Sequence, residues 1–469
     1  MEVENWDTTL REGEQQCGVH FSLEQKLEIG NLLLKEFKVA ETMEVHCYSH
    51  TLEEAREIVN SFGKDKIILH HRLCKEDIDV SRKCGKDVWV GMYIGTSDSH
   101  LASMDLNEEG LMRKLADTLE YAHQAGVKIG KIALEDAPNT NFRFMEKLIR
   151  IMERSPVEIR SLSPAMTVDR FGPEFYGKFI KSLKEITEIP IMVHYHNDLG
   201  LAVQGCWEAF KAGARIFNTS VLGLGERAGI IPFEQWAVCF SMHGLKEINT
   251  GTINKICEVV MKHSGIKPTN HTPIIGSNVF THKAGAHTRK ILHNPETYEP
   301  FSPEFLGRND RRVILSHLSG KSNVFFKLKN EYEMGLDGIS NGVLKRIGER
   351  VRVHSLKWKS DLSTEEFEKI LSEELGIKIE EIIKRRKFSE PFSGTIFVKV
   401  KPSSLSEVGK NIRMIIREAT NICEVLGKDV DLKVDIETTS SALLDEYANV
   451  IRSINGVEGT TTFVATRKY

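Results

Sequence analysis

Two short segments, far apart in the chain, carry side chains that could bind one metal ion together. The run His194-Tyr195-His196 places two imidazoles two positions apart, and Arg11-Glu12 places a cation beside a carboxylate. Side chains repeat every two residues in a β-strand, so both imidazoles would point to one face. Two histidines and a carboxylate from another strand would form a site for Zn²⁺, Mn²⁺, Mg²⁺ or Co²⁺.

Three protein ligands would leave positions on the metal open, which is typical of a catalytic site rather than a structural one. A 2-oxo acid would chelate the ion through its keto oxygen and one carboxylate oxygen, and the ion would polarise the ketone. Arg11 could meet the carboxylate with a forked pair of hydrogen bonds. The plainer interpretation assigns the histidines to packing and Arg11 to a structural salt bridge.

The elements that must position these residues alternate regularly up to about residue 265. Short β-rich runs are separated by amphipathic helical stretches, which makes about eight β/α units in roughly 250 residues. This predicts an α/β fold, a (β/α)8 TIM barrel, whose catalytic groups lie at the carboxyl ends of the strands. The following residues fall at or just after predicted strand ends: Arg11, Glu12, His71, Glu135, His194 and His196.

The rest of the chain has a different pattern. Residues 266–390 predict a linker with small helical subdomains. Residues 391–469 predict the order β-α-β-β-α-β of a small α+β ferredoxin-like domain. The predicted domains are therefore 1–265, 266–390 and 391–469.

Composition excludes several classes of protein. The 469 residues are 41% hydrophobic and carry a net charge of −3, which gives no electrostatic case for a nucleic-acid partner. No apolar run is long enough to span a membrane, and the first residues do not have the pattern of a signal peptide. Eight scattered cysteines without a CxxC pair indicate a reduced, cytoplasmic protein.

Four motifs together identify a family resemblance over roughly residues 1–320. They are DTTLREGEQ at 7–15, HYHNDLG at 194–200, GLGERAGI at 223–230 and HKAGAH at 282–287. In this order and spacing they resemble the metal-dependent enzymes that condense acyl-CoA with 2-oxo acids. That family contains the homocitrate, isopropylmalate, citramalate and Re-type citrate synthases.

The resemblance implies that Glu12, His194 and His196 bind the metal. It also implies that Arg11 and Gln15 contact the 2-oxo acid. Glu135 and His287 would help to remove a proton from the methyl group of the co-substrate acetyl-CoA. His287 and Tyr298 would arrive from the partner subunit of a domain-exchanged homodimer or higher homo-oligomer, and hydrolysis of the thioester would make the reaction irreversible.

Which 2-oxo acid is used depends on the distal part of the site. His71 matches a histidine that meets the distal carboxylate of 2-oxoglutarate in homocitrate synthases, and Leu224 stands where isopropylmalate synthases usually have Asn. Both favour homocitrate as the product, in lysine biosynthesis. Lys131 and Ala133, however, stand where homocitrate synthases usually carry Arg and Ser, and Thr167 would replace the family's usual Thr contact. This altered site could prefer oxaloacetate and make citrate, and citramalate or isopropylmalate stay as further alternatives.

Two other functions compete with condensation. A lyase acting on 3-hydroxy-3-methylglutaryl-CoA would carry a Gly-Cys loop, and residues 223–229 contain no cysteine. An inactive barrel that only senses an amino acid is opposed by the retained Glu12, His194 and His196. The C-terminal domain resembles a small amino-acid-binding regulatory domain of archaeal and bacterial transcription regulators, which implies an amino-acid effector.

Overall fold

The computed structural model describes residues 2–332, 334, 339–386, 392–416, 419–425, 430–438 and 441–464. It forms two compact units, Met1–Val279 with Phe301–Asn309, and Phe280–Pro300 with Asp310–Tyr469. The predicted division at residue 265 stays a prediction. The predicted division between 390 and 391 lies outside the described residues.

The first unit is built on eight parallel strands in the order β6-β5-β4-β3-β2-β1-β8-β7. Parallel bridges between Leu162 and Ile191 and between Met166 and Tyr195 connect the two ends of this order. The predicted (β/α)8 TIM barrel is therefore confirmed. The strands are β1 Glu4–Asp7, β2 Thr42–His46, β3 Ile67–Arg72, β4 Trp89–Gly95, β5 Lys128–Glu135, β6 Leu162–Pro164, β7 Met192–Val193 and β8 Ile216–Thr219.

Helices surround the barrel because each carries one apolar face. In the helix Phe142–Glu153, for example, the buried residues Phe144, Leu148 and Met152 recur every fourth position, and the side chain of Asn141 caps the first turn. The helices are α1 Leu23–Asn31, α2 Leu52–Phe62, α3 Lys75–Ser81, α4 Asp98–Ser103, α5 Glu108–Ala125, α6 Phe142–Glu153, α7 Pro173–Lys184, α8 Ala202–Lys211, α9 Phe233–Met242 and α10 Ile253–Ser264.

The interior of the barrel changes character along its axis. A cluster of buried apolar side chains includes Trp6, Ile68 and Trp89. Further along the same inward-facing positions, towards the carboxyl ends of the strands, the side chains become polar, as with His70 and Lys131. The apolar layer therefore supports a polar end on which a site can be built.

The first part of the second unit is mainly helical. Strands β9 and β10 pair in parallel, and a buried cluster that includes Leu328, Ile347 and Phe367 holds the helices together. The elements are β9 Thr281–His282, α11 Gly285–Ile291, β10 Arg312–Val313, α12 Lys321–Glu331, α13 Asn341–Trp358, α14 Thr364–Leu375 and α15 Ile379–Lys384.

The C-terminal part of the second unit has its own buried core under a four-stranded antiparallel sheet of order β12-β13-β11-β14. This order, with two helices on one face, confirms the predicted ferredoxin-like arrangement. Among the described residues, no helix combines the length and the apolar content needed to cross a bilayer. The elements are β11 Phe392–Val400, α16 Leu405–Ile415, β12 Ala419–Glu424, β13 Leu432–Thr438, α17 Ser441–Arg452 and β14 Val457–Val464.

Candidate active site

The barrel brings the three predicted metal ligands together. Glu12 follows β1, and His194 and His196 follow β7. One ligand atom from each of the three lies within 4.8 Å of the others, and the residues are only 3%, 7% and 7% exposed. Closure of the barrel thus brings the carboxylate beside two imidazoles that are far away in the sequence. The three side chains could hold one divalent ion.

The protonation states suit metal binding. Burial acts to raise the pKa of Glu12, but the guanidinium of Arg11 and the two imidazoles hold it at about 2. Burial lowers the pKa of His194 to about 3 and also lowers that of His196. At neutral pH the site therefore presents a carboxylate and two neutral imidazoles, which are the forms that bind metals.

Each of the two imidazoles keeps a ring nitrogen that is available to coordinate a metal ion. The Nδ1–H of His194 donates to Oδ1 of Asn218 at 2.8 Å, so its other ring nitrogen carries the lone pair. The Nδ1 of His196 is buried and has no hydrogen-bond partner among the described residues. A buried imidazole nitrogen without a partner is costly, so the donor set fits a bound metal ion.

A glycine loop after β8 closes over Glu12. The backbone N–H of Glu226 donates to Oε1 of Glu12 at 3.3 Å. A Cβ on Gly225 would lie 3.0 Å from Cγ of Glu12, and one on Gly229, whose φ is +84°, would lie 1.9 Å from the oxygen of Gly223. Side chains at these positions would push the loop away from the carboxylate, so the glycines are needed for the close approach.

A cavity of about 310 Å³ opens beside these residues. Most of the predicted site residues of the first unit line this barrel cavity, together with seven other residues. The predicted ones are Arg11, Glu12, Gln15, Lys131, Glu135, Thr167, His194 and His196, and the others are Tyr48, His70, Tyr93, Ala133, Ala165, Glu226 and Arg227.

Under the cavity lies a buried carboxylate that sequence reasoning missed. Oε2 of Glu44 accepts from Nε and Nη2 of Arg11 at 3.1 and 2.9 Å, and Oε1 accepts from Nζ of Lys131 at 2.5 Å. Thr8 and Asn218 donate to the same carboxylate at 3.0 and 3.2 Å. Burial would raise the pKa of Glu44, but the two cations hold it at about 2. Glu44 therefore fixes Arg11 and Lys131 side by side as charged groups.

The sequence matches known proteins along almost its whole length. The HMGL-like family profile matches residues 2–260, and a homocitrate synthase post-HMGL domain-like profile matches residues 274–354.

The chain belongs to the HMGL-like family.

Its relatives include the homocitrate synthase AksA of Methanopyrus kandleri, 33% identical over 76% of this chain and 90% of the relative. A homocitrate synthase of Sulfolobus acidocaldarius is 29% identical over 100% of this chain and 98% of the relative. The HMG-CoA lyase of Bacillus subtilis superposes with a TM-score of 0.49 at 15% identity, over 56% of this chain and 94% of the lyase. Within the HMGL-like family, the chain is an acyl-transferring condensing enzyme.

The structure places the histidine that was predicted to meet the substrate, His71, outside the lining of the barrel cavity. His71 is buried but does not line the barrel cavity, whereas the adjacent His70 does and stacks on Tyr93 with ring centroids 5.2 Å apart. Successive side chains of a strand face opposite sides, so only one of the two histidines can face the interior. Gly91 of β4 pairs with His70 on one side and with Lys131 on the other. This register determines which histidine faces the cavity.

The remaining barrel residues are placed around the three predicted metal ligands. In the orientation that satisfies its hydrogen bonds, the amide of Gln15 donates to both oxygens of Glu12 at 3.1 and 3.2 Å. Oγ1 of Thr167 accepts from the backbone N–H of Asp136 at 2.9 Å. Burial raises the pKa of Glu135, which makes this carboxylate a stronger base.

His287 and Tyr298 belong to the second unit, where they form a pair. Their rings stack with centroids 4.1 Å apart, and Nζ of Lys290 donates to the Tyr298 hydroxyl at 3.2 Å. His287 is exposed and Tyr298 is 38% exposed. Their arrival at the barrel cavity of a partner subunit stays a prediction.

Proposed function

We propose that this chain condenses acetyl-CoA with 2-oxoglutarate to give homocitrate and CoA. The observation that carries the proposal is the convergence of Glu12, His194 and His196 within 4.8 Å, beside Arg11 in the barrel cavity. The names of the two homocitrate synthases described above support the same reaction.

Arg11 is suited to the reacting end of the substrate. A divalent ion held by the three ligands would supply a Lewis acid for the ketone. The guanidinium has five N–H donors, of which three are engaged by Glu12 and Glu44. Two donors are left to bind the carboxylate next to the ketone, in an orientation that Glu44 already holds.

Glu135 is suited to generate the carbon nucleophile. Its raised pKa favours acceptance of a proton from the methyl group of acetyl-CoA. The methyl carbon then forms a bond to the ketone carbon, and the ketone oxygen takes up a proton to become a hydroxyl. Water finally cleaves the thioester and releases CoA, with His287 and Tyr298 of a partner subunit completing the proton-transfer groups.

Lys131 is suited to the distal carboxylate. It is 1% exposed, and burial lowers its pKa to about 8, with Glu44 acting in the opposite direction. The ammonium ion therefore persists at neutral pH, and only one of its three donors is engaged by Glu44. Oxaloacetate is the second candidate because Ala133 lines the cavity without a hydroxyl, which removes one anchor for a longer diacid.

A substrate panel tests the proposal. Release of CoA from acetyl-CoA should be measured with 2-oxoglutarate, oxaloacetate, pyruvate and 2-oxoisovalerate, with and without EDTA, and the product identified by mass spectrometry. Homocitrate should form fastest, and EDTA should abolish the reaction. Citrate as the main product would move the assignment to oxaloacetate, and no release with any of the four would favour the amino-acid sensor.

We also propose a domain-exchanged homodimer in which His287 serves the partner's barrel. Mixing the inactive variants Glu12→Gln and His287→Ala, with subunit exchange, should restore about a quarter of wild-type activity, because half of the dimers are mixed and each has one intact site. No recovery, with exchange verified by mass spectrometry, would contradict a shared site.

For the C-terminal sheet we propose a regulatory role. Deletion of residues 391–469 should abolish inhibition by lysine or another amino acid, and unchanged inhibition would contradict it. Because its eight cysteines are free thiols, we further propose that the enzyme is cytoplasmic.

A further inference from the structure

A second cavity, of about 490 Å³, lies in the second unit where the start of α12 meets α13. We propose that this α12–α13 groove binds an anion that carries phosphate groups. Half of the residues that line it are cations, and none is a carboxylate. The lining residues are Gly320, Lys321, Asn341, Gly342, Lys345 and Arg352.

Helix α13 lies close to the backbone at the start of α12. A Cβ on Gly348 of α13 would lie 3.1 Å from the carbonyl carbon of Gly320 and 3.3 Å from the nitrogen of Lys321. The glycine therefore lets α13 touch the main chain at the start of α12. Lys345 and Arg352 are seven residues apart, two helical turns, so both project from the same side of α13.

These cations have few counter-charges within the described part of the chain. The ammonium of Lys321 contacts only the amide oxygen of Asn341, at 3.5 Å, and Lys345 forms no ion pair there. Arg352 has Glu349 at 4.0 Å, the limit of an ion pair. Three like charges around one concave surface repel one another and focus a positive potential into the groove.

Two other cations of α13 have close acidic partners. Arg346 has its Nε 3.2 Å from Glu374 of α14, and Arg350 is bonded to both Glu373 and Glu374. The helix thus has close acidic partners for the arginines that face α14, whereas among the described residues the groove cations have only Glu349, 4.0 Å from Arg352. A ligand with several negative charges would supply the missing partners.

Phosphate groups fit this arrangement better than a single carboxylate does. Each carries up to two charges and three acceptor oxygens, which match three separate cations. The volume admits an organic phosphate. Such a ligand could be the CoA moiety of the proposed reaction, a source that rests on the proposed function, or a separate phosphorylated metabolite.

Calorimetric titration of the full-length, metal-loaded protein with inorganic phosphate and with CoA tests the groove. The double variant Lys345→Gln/Arg352→Gln should weaken binding of at least one probe by about tenfold or more, since each charged contact is lost. The control Lys329→Gln/Lys357→Gln removes the same charge from exposed lysines of the same two helices, outside the groove. It should bind as the wild type does.

The proposal is overturned if the wild type binds neither probe, or if the control loses as much affinity as the groove variant. Because binding is measured without turnover, either result is independent of the proposed condensation. Loss of CoA affinity with a matching rise in KM for acetyl-CoA supports the groove as a CoA site. Loss of phosphate affinity alone, with that KM unchanged, supports it as the site of a separate phosphorylated metabolite.

Discussion

The barrel cavity and the α12–α13 groove both collect cations, but they differ in how the charges are compensated. In the barrel, Arg11 and Lys131 are 5% and 1% exposed, and both are bonded to Glu44. In the groove, Lys345 and Arg352 are exposed, and among the described residues only the exposed carboxylate of Glu349 approaches them, at 4.0 Å from Arg352. A buried cation needs a counter-charge from the protein, whereas an exposed cation is stabilised by water. The barrel therefore holds its cations in one geometry, and the groove keeps its cations free for a diffusing anion.

The largest effect is expected from Glu12→Gln, which removes the charged ligand from the barrel. Activity should fall on the order of 10³-fold, and bound metal should fall with it, because the remaining imidazoles hold a divalent ion weakly. Atomic absorption and the CoA-release assay measure both, with His123→Ala as a control at an exposed histidine. Near-wild-type turnover without metal would refute the assignment.

The next largest effect is expected when the carboxylate that compensates the two buried barrel cations is removed. Glu44→Gln should cost about 3–5 kcal/mol in free energy of unfolding, because it leaves buried cations without full compensation. Urea denaturation measures it. The matched change Glu349→Gln beside the groove should stay within about 0.5 kcal/mol. Equal effects of the two changes would show that burial does not distinguish these regions.

Substitution of the two adjacent histidines of β3 tests which of them faces the barrel cavity. His70→Asn should raise KM for the 2-oxo acid by about tenfold, because His70 lines the cavity. His71→Asn should leave that KM unchanged, because His71 faces the other side of the strand. Steady-state kinetics with metal content as a control separates them, and the reverse pattern would restore His71 to the site.

The smallest effect concerns the carboxyl of Glu234, which is buried and has no cation beside it among the described residues. Glu234 is 1% exposed, and burial raises its pKa from the ordinary 4.5 to about 7. A raised folded-state pKa means that its stabilising contribution is complete below about pH 4.5 and is lost as the pH rises through about 7. Glu234→Gln should therefore reduce the fall in melting temperature between about pH 5.5 and 8.5. An unchanged fall would exclude Glu234 as its cause.

Much of the barrel could be predicted because its signals are local. The alternation of β-rich and amphipathic segments predicted the fold, and the position of Glu12 and His194 at strand ends predicted that they would meet. The choice between His70 and His71 could not be made from the sequence, since two adjacent histidines offer no pattern that says which faces inward. Only pairing of β3 with β4 decides it.

Other features depend on contacts that no local pattern encodes. Glu44 and Lys131 are 87 positions apart and belong to strands that are not neighbours in the sheet. The only signal in the sequence was an isolated glutamate in the strand Thr42–His46, and it does not indicate which cation the glutamate binds. The groove likewise arises where Gly348 of one helix meets the start of another.

By itself the sequence determined the order of strands and helices, the residue types at the strand ends and the family to which the chain belongs. These follow from periodicity and from motifs, which are properties of short stretches. Tertiary structure alone decided which histidine enters the cavity, which carboxylate compensates the two buried cations and which cations have no close acidic partner among the described residues. Those outcomes depend on strand register, barrel closure and helix packing, in which distant segments fix one another's geometry.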